Sequence, residues 1–366
     1  MGSRVTTSPA NGHSNDGLSN DVLLVAIPFP PQEQWIARLE ALYPGFKVRW
    51  AVQSTTFPPE PLPEEVYEDV TILLTLWPHP IERLQKVRYV QLISAGADKW
   101  IPHELYKNPD VILCTANGAH SPQIAEWVIG TWLMMSHHFL DYAAQQQKQQ
   151  FSRLMHLNVR DSPGLRMGVL GYGAIGRQCA RLGQALGMEV YAYTRSERST
   201  PDSRKDDSYC VAGTGDPDGV VPAKWFHGSS KEAVNEFLAQ DLDILVLSLP
   251  LTAATKYILG REQFEILSRK KTFISNIARG EHIDTDALLD ALREGKIRGA
   301  ALDVTDPEPL PDGHPLFTAP NVFISPHVSW QTPQLFTRIQ GILEQNLEHL
   351  IKGESLINII NREHHY

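Results

Sequence analysis

The sequence predicts an α/β protein with two open, mostly parallel sheets, and three observations carry that expectation. Its 366 residues suit two domains at roughly 100–200 residues each. Apolar runs of strand length alternate with stretches of helical spacing along almost the whole chain, the pattern of a parallel sheet with helices on its faces. A glycine-rich turn stands between a strand and a helix near the middle of the chain.

Taken in order, residues 1–20 are rich in Ser, Asn and Gly, have no apolar stretch, and are expected to form a disordered tail rather than a signal peptide. The start Met1-Gly2-Ser3-Arg4-Val5-Thr6 fits a loose acylation pattern, but no basic cluster follows, so the plain tail is preferred. Strands are expected at 22–27, 46–52, 70–77, 89–93 and 111–115, and helices at 32–42 and 80–87. A long helix starts at Ser121 as N-cap with Pro122 in the first helical position. Its stripe Ile124, Trp127, Val128, Thr131 and Met135 is read as core packing.

The second region has strands at 167–170, 189–194, 243–248, 271–277, 299–304 and 322–325. A helix over 174–186 is stopped by Gly187, and Ser229 with Glu232 forms a capping box for a helix to about residue 239. Residues 196–228 are polar, rich in Gly, Pro and Asp, and too long for an ordinary connection, so they read as a surface insertion. The last helix starts at Thr332-Pro333, carries Leu335, Ile339, Ile342, Leu343, Leu347 and Leu350 on one face, and ends at Gly353.

Composition excludes several classes. The formal net charge is −9, which is ill suited to tracking nucleic-acid phosphates. No apolar run reaches the length needed to cross a bilayer. Cys114, Cys179 and Cys210 are odd in number and widely spaced, which argues against a disulfide framework and a zinc site and for a reducing, cytoplasmic compartment. No metal site is expected.

Gly171-Tyr172-Gly173-Ala174-Ile175-Gly176 follows a strand and opens a helix, the context that turns a weak pattern into a dinucleotide site of Rossmann type. Gly171 permits the tight turn, Gly173 lets a pyrophosphate approach, and Gly176 lets the helix pack on the strand. The next strand ends not in an acid but in Thr194, followed by Arg195, Ser196 and Arg198. No carboxylate stands at Thr194 to repel a 2′-phosphate, and the guanidinium groups suit one, which favours NADP(H) with NAD(H) as the other option.

Arg279, Glu308 and His327 each lie just past an expected strand of this second region, where ligands of open α/β sheets bind. The three suit reduction of a 2-oxo acid. A histidine gives the carbonyl oxygen its proton, a carboxylate orients that histidine and raises its basicity, and an arginine holds the substrate carboxylate.

At these residues the chain resembles the D-isomer-specific 2-hydroxyacid dehydrogenases, which include glyoxylate and hydroxypyruvate reductases. The matching stretches are residues 169–177, Ser248-Leu249-Pro250-Leu251-Thr252, Asn276-Ile277-Ala278-Arg279-Gly280, residues 299–310 and Ser325-Pro326-His327. They occur in order, and the resemblance spans residues 21–361. It implies Arg279 as substrate arginine, Glu308 as the acid partner and His327 as proton donor. It also implies cofactor contacts at Leu249, Pro250, Ile277 and Asp303, the last through the nicotinamide amide.

In Ser94-Ala95-Gly96-Ala97, Ala95 and Gly96 would bind the substrate carboxylate through backbone N–H groups. The implied architecture is a flavodoxin-like, discontinuous substrate domain (21–120 and 333–366), a dinucleotide domain (121–332) and a homodimer. The implied activity is NADP(H)-preferring reduction of small 2-oxo acids. Two alternatives stand beside it: an NAD-linked dehydrogenase in the oxidative direction, and a dinucleotide-sensing, corepressor-like binding protein. Three departures are notable. Asp306 is shorter than the family's usual acid, Trp330 is bulky, and the 196–228 segment is long.

Overall fold

The computed structural model describes residues 17–54, 58–153 and 159–364. Within them the chain forms two compact units, one of residues up to 93 with 102–114 and 342–359, the other of 94–101, 115–341 and the residues from 360. The expected tail lies outside the described residues up to position 16. Residues 17–20 are not a tail: Leu18 is buried and its carbonyl accepts from the Asp21 N–H at 2.9 Å, closing a turn onto the first strand.

The first unit holds five strands, β1 (Val22–Ile27), β2 (Lys47–Val52), β3 (Ile72–Thr75), β4 (Tyr89–Leu92) and β5 (Ile112–Cys114). All pairings are parallel, in the order β2-β1-β3-β4-β5, which is the flavodoxin-like order. β1, β3 and β4 are buried along their whole length, as strands covered on both faces must be. The helix Glu33–Leu42 buries Trp35 and Leu39, and the Trp35 indole donates to Glu344 Oε1 at 2.6 Å. Asn346, fully buried on the last helix, donates to the Tyr89 hydroxyl at 3.0 Å and accepts from the Ile357 N–H at 2.8 Å. Those bonds explain why residues 342–359 join this unit from the far end of the chain.

The second unit holds seven strands, β6 (Arg166–Leu170), β7 (Glu189–Thr194), β8 (Lys224–His227), β9 (Ile244–Leu247), β10 (Phe273–Asn276), β11 (Gly299–Leu302) and β12 (Val322–Ile324). They run parallel in the order β12-β11-β10-β9-β6-β7-β8, so the direction of winding reverses between β6 and β9. This is the doubly wound Rossmann order with one added strand. Successive side chains of a strand face opposite ways. Leu245 and Leu247 of β9 therefore pack with Phe237, Ile274 and Leu288 on one face, while Ile244 and Val246 pack with Trp132, Met167 and Phe273 on the other.

Several boundaries differ from expectation. The long helix is Ser121–Ser136 with His120 as its N-cap, so Ser121 lies inside the first turn beside Pro122. It stops at His137, and His138, at φ 56°, turns the chain into a second helix, Phe139–Gln147. Residues 80–87 form only the 3-10 turn Ile81–Arg83, and their apolar series Ile81, Leu84 and Val87 runs at a spacing of three rather than about 3.6. Ser230, not Ser229, caps the helix Lys231–Leu238 by accepting from the Ala233 N–H at 3.2 Å. The last helix is Leu335–Lys352. Helices Arg261–Ser268 and Thr285–Arg293 were not expected at all, although Asp284 caps the second in the ordinary way.

The segment 196–228 is not wholly an insertion. Its end, Lys224–His227, is the edge strand β8, in register with Tyr191–Thr194 of β7. Its aromatic pair Trp225 and Phe226 packs on Tyr172 and Tyr191, which outweighs the polar composition of what precedes it. The loop 94–101 belongs to the second unit rather than the first. Asp98 is bonded to Arg279 there, and the Ser94 carbonyl accepts from the Ala116 N–H at 2.9 Å.

Candidate active site

All the strands of the second unit point the same way, so their carboxyl ends share one edge of the sheet. The glycine-rich turn follows β6 at that edge, beside the reversal of strand order. Gly171 has φ +101°, a left-handed conformation that side chains rarely adopt, and an added Cβ would stand 2.5 Å from the Ser248 carbonyl oxygen. At Gly176 a Cβ would run into the Gly171 carbonyl.

Gly173 is the opposite case. A Cβ there would meet nothing within 4 Å, so the space against its backbone is open. It caps the twelve-residue helix Ala174–Ala185, whose first N–H groups and positive dipole end suit an anion. The residues present thus fit a dinucleotide pyrophosphate. Ala174 is buried and Ile175 half-buried behind the turn.

At the end of β7 the Thr194 hydroxyl donates to the Ser196 carbonyl at 2.7 Å, and Arg195 and Ser196 are exposed. Arg198 is not poised with Arg195: it donates to the Ser203 carbonyl, and its own carbonyl accepts from Arg204 Nε at 2.9 Å. Leu249 and Pro250 follow β9, and Ile277 follows β10 as a buried residue.

His327 and Glu308 meet directly. His327 Nδ1 stands 2.6 Å from Glu308 Oε1, with both side chains about two-fifths exposed. Burial alone pushes the Glu308 carboxyl up. The hydrogen bond and charge of His327, a backbone bond at Thr305 and the Arg279 charge outweigh it, so the carboxyl sits below its usual range and is ionised at neutral pH. A carboxylate on Nδ1 leaves Nε2 as the ring atom free to give a proton.

Arg279 is held from several sides. Its Nη1 donates to the Ala278 carbonyl at 2.7 Å and its Nη2 to Asp98 Oδ1 at 2.6 Å. Burial raises the Asp98 carboxyl, but the Arg279 charge and hydrogen bond prevail and keep it below its usual range. Gly96 lies so close that a Cβ would stand 2.5 Å from Arg279 Nη2. The structure thus brings Gly96 of the 94–97 turn to the arginine that the sequence singled out. His282, fully buried and held neutral by that burial, accepts from the Arg279 N–H at 3.2 Å with Nδ1 and faces the Pro250 carbonyl at 3.3 Å with Nε2. Asn276 Nδ2 donates to the Arg279 carbonyl at 2.9 Å.

Asp303 braces the turn that carries His327. Its carboxylate, 1% exposed, accepts from the Ser325 hydroxyl at 2.6 Å, the Val328 N–H at 2.9 Å and the Ser329 N–H at 3.1 Å, and from the Ser329 hydroxyl. Its carbonyl accepts from the His327 N–H at 2.8 Å. The bonds bracket His327, which is held at φ 54°, a region costing about 1 kcal/mol for a residue with a side chain. Trp330 closes the same turn by donating from its indole to the His327 carbonyl at 2.7 Å.

Sequence reasoning gave no role to Asp98, His282 and Ser329, nor to Asn276 and Ser325, although these last two stand in the matching stretches. For the other three, only closeness in sequence to Gly96, Arg279 and His327 could have flagged them. Among the described residues no group of His, Cys, Asp or Glu is placed to hold a metal ion.

Comparison with known proteins agrees with this geometry. The model of a family described as D-isomer specific 2-hydroxyacid dehydrogenase, NAD binding domain, matches residues 129–213 and 220–329, more than half of the chain. A D-3-phosphoglycerate dehydrogenase of Methanocaldococcus jannaschii is 30% identical over 283 residues, covering 77% of this chain and 49% of that protein. A glyoxylate reductase of Aeropyrum pernix is 32% identical over 200 residues, covering 55% and 52%. The chain thus spans about half the length of these two relatives. A solved D-isomer specific 2-hydroxyacid dehydrogenase from Xanthobacter autotrophicus Py2, in complex with NADPH and MES, superposes with a TM-score of 0.72 at 27% identity, covering 95% of this chain and all of that one.

Proposed function

Because the chain belongs to the D-isomer specific 2-hydroxyacid dehydrogenase family, we propose that it reduces small 2-oxo acids to D-2-hydroxy acids, glyoxylate and hydroxypyruvate being the first candidates. The observation that carries this is the 2.6 Å contact of His327 Nδ1 with Glu308, in the unit that also holds Arg279 and the glycine-rich turn.

A bound nicotinamide dinucleotide supplies the hydride. Gly171, Gly173 and the start of the helix Ala174–Ala185 hold its pyrophosphate, Thr194 to Ser196 its adenosine ribose, and Leu249, Pro250 and Ile277 its flanks. Arg279 takes the substrate carboxylate together with the backbone N–H groups of Ala95 and Gly96. His327 Nε2 gives its proton to the carbonyl oxygen as negative charge develops there, and the Glu308 carboxylate stabilises the protonated ring before that transfer. Asp303 and Trp330 keep the turn that carries His327 in its left-handed conformation.

NADP(H) is the preferred cofactor in this proposal. It is supported by Thr194 where an acid would repel a 2′-phosphate, by the exposed guanidinium of Arg195, and by the NADPH in the solved relative. The exposed Phe139, Leu140, Tyr142 and Phe151 support a homodimer, for which sedimentation is the test. The proposed site of action is the cytoplasm, where three free cysteines stay reduced. Among the described residues no helix is long and apolar enough to cross a membrane.

The deciding experiment follows oxidation of NADPH and NADH by the purified protein with a panel of 2-oxo acids. Turnover with at least one small acid, faster with NADPH, is expected. Tight dinucleotide binding without turnover on any acid overturns the assignment in favour of a binding protein. Arg195→Ala should raise KM for NADPH and leave that for NADH unchanged, and equal effects on both refute the phosphate contact.

A further inference from the structure

The connection between β7 and β8 reaches beneath the glycine-rich turn. Asp216 in it is 4% exposed. Its Oδ2 accepts from the Tyr172 hydroxyl at 2.8 Å and the Val221 N–H at 3.1 Å, and its Oδ1 accepts from the Val220 N–H at 2.9 Å. Arg177, also 4% exposed, lies 5.0 Å from the centre of the Tyr172 ring. Its guanidinium donates to the Asp216 carbonyl and, at 2.7 Å, to the Arg204 carbonyl, and its Nε is 3.2 Å from Asp206 Oδ2.

One turn of helix adds further bonds. Gln178 Oε1 accepts from the Gly215 N–H at 2.6 Å, and Arg181 donates to the Gly215 carbonyl at 3.2 Å. Trp225 stands edge-on to Tyr172 with centres 5.0 Å apart. Asp216 falls within residues 214–219, which lie between the two stretches matched by the family model.

A solvated loop does not sequester a carboxylate and a guanidinium from water, because burying either is costly unless it is fully bonded. Tyr172 lies between Gly171 and Gly173, whose backbones no side chain restricts. Tying its phenol down from beneath orders the turn during folding, so less ordering is left to oppose binding of an anion. We infer that residues 205–221 are a buttress that presets the glycine-rich turn and thereby raises affinity for the dinucleotide, with Asp216 as the positioning residue. This rests on the cofactor assignment under Proposed function and assigns a role to the long connection.

The test uses the full chain carrying Asp216→Ala or Tyr172→Phe. NADPH and NADH binding is followed by calorimetry, and amide hydrogen exchange is followed in the ligand-free protein. Loss of a bond to a charged acceptor should raise Kd about tenfold in Asp216→Ala and about threefold in Tyr172→Phe, alike for both dinucleotides. Exchange should quicken at residues 171–176 while residues 285–293 keep their rates.

An unchanged Kd overturns the buttress, as does faster exchange across the whole unit, the mark of general loosening. Tyr172→Phe keeps the ring and its packing, so it decides the matter if Asp216→Ala does not fold. Failure of the unaltered protein to bind either dinucleotide would sink the cofactor assignment instead, and the exchange rates then decide the buttress by themselves.

Discussion

Replacing Glu308 with Gln removes one negative charge from His327 while keeping the shape of the side chain and an oxygen able to accept from Nδ1. The contact is 2.6 Å, and both side chains are about two-fifths exposed, so solvent screens the pair. Two unit charges about 4 Å apart attract by roughly 1 kcal/mol in water and roughly 4 kcal/mol at the effective dielectric near a protein surface. Exposure of this degree places the differential effect toward the lower end, at about 1–2 kcal/mol. If that energy stabilises the protonated ring from which the proton leaves, kcat/KM should fall about five- to thirtyfold. The assay is steady-state reduction of the best 2-oxo acid at saturating NADPH, with His327→Ala as the reference for complete loss of the proton donor, about a hundredfold or more. Glu308→Gln with unchanged turnover refutes the pairing as a catalytic device. A loss equal to that of His327→Ala shows that the carboxylate does more than tune its partner.

Three further outcomes follow from the same geometry. Gly96→Ala should push the Arg279 guanidinium aside and raise KM for the 2-oxo acid about ten- to a hundredfold while dinucleotide Kd stays put; an unchanged KM would separate the 94–97 turn from the substrate. Ser329→Ala removes one donor from the Asp303 carboxylate and should lower kcat about tenfold with unaltered NADPH affinity, whereas a selective loss of affinity would assign Asp303 to the cofactor instead. His79 is buried between the Tyr67 and Thr75 hydroxyls, and burial pushes its pKa from 6.5 down to about 4. The unfolded chain takes up that proton between those values and the folded chain does not. About 3 kcal/mol of stability is therefore lost as pH falls from about 6.5 to about 4, with no further loss from this group below that. Urea melts of the protein and of His79→Gln across this range check it, and parallel pH profiles would remove His79 from the account.

The sequence by itself indicated the fold class and the glycine-rich turn and singled out the trio Arg279, Glu308 and His327 proposed for catalysis, because each is written in local signals: strand-length apolar runs, glycine spacing, and charged residues after strands. It also placed most strands to within two or three residues. It misjudged β8 and missed the helices 261–268 and 285–293, since β8 is secured by aromatic packing on Tyr172 and Tyr191 rather than by its own alternation. Tertiary structure alone decided which side chains hold the trio. Asp98 reaches Arg279 across 181 positions of chain, Asp303 brackets His327 across a gap of two dozen, and Asp216 meets Tyr172 across 44. Hydrogen bonds of that kind depend on distance in space after the strands have paired, and no periodicity along a chain encodes them.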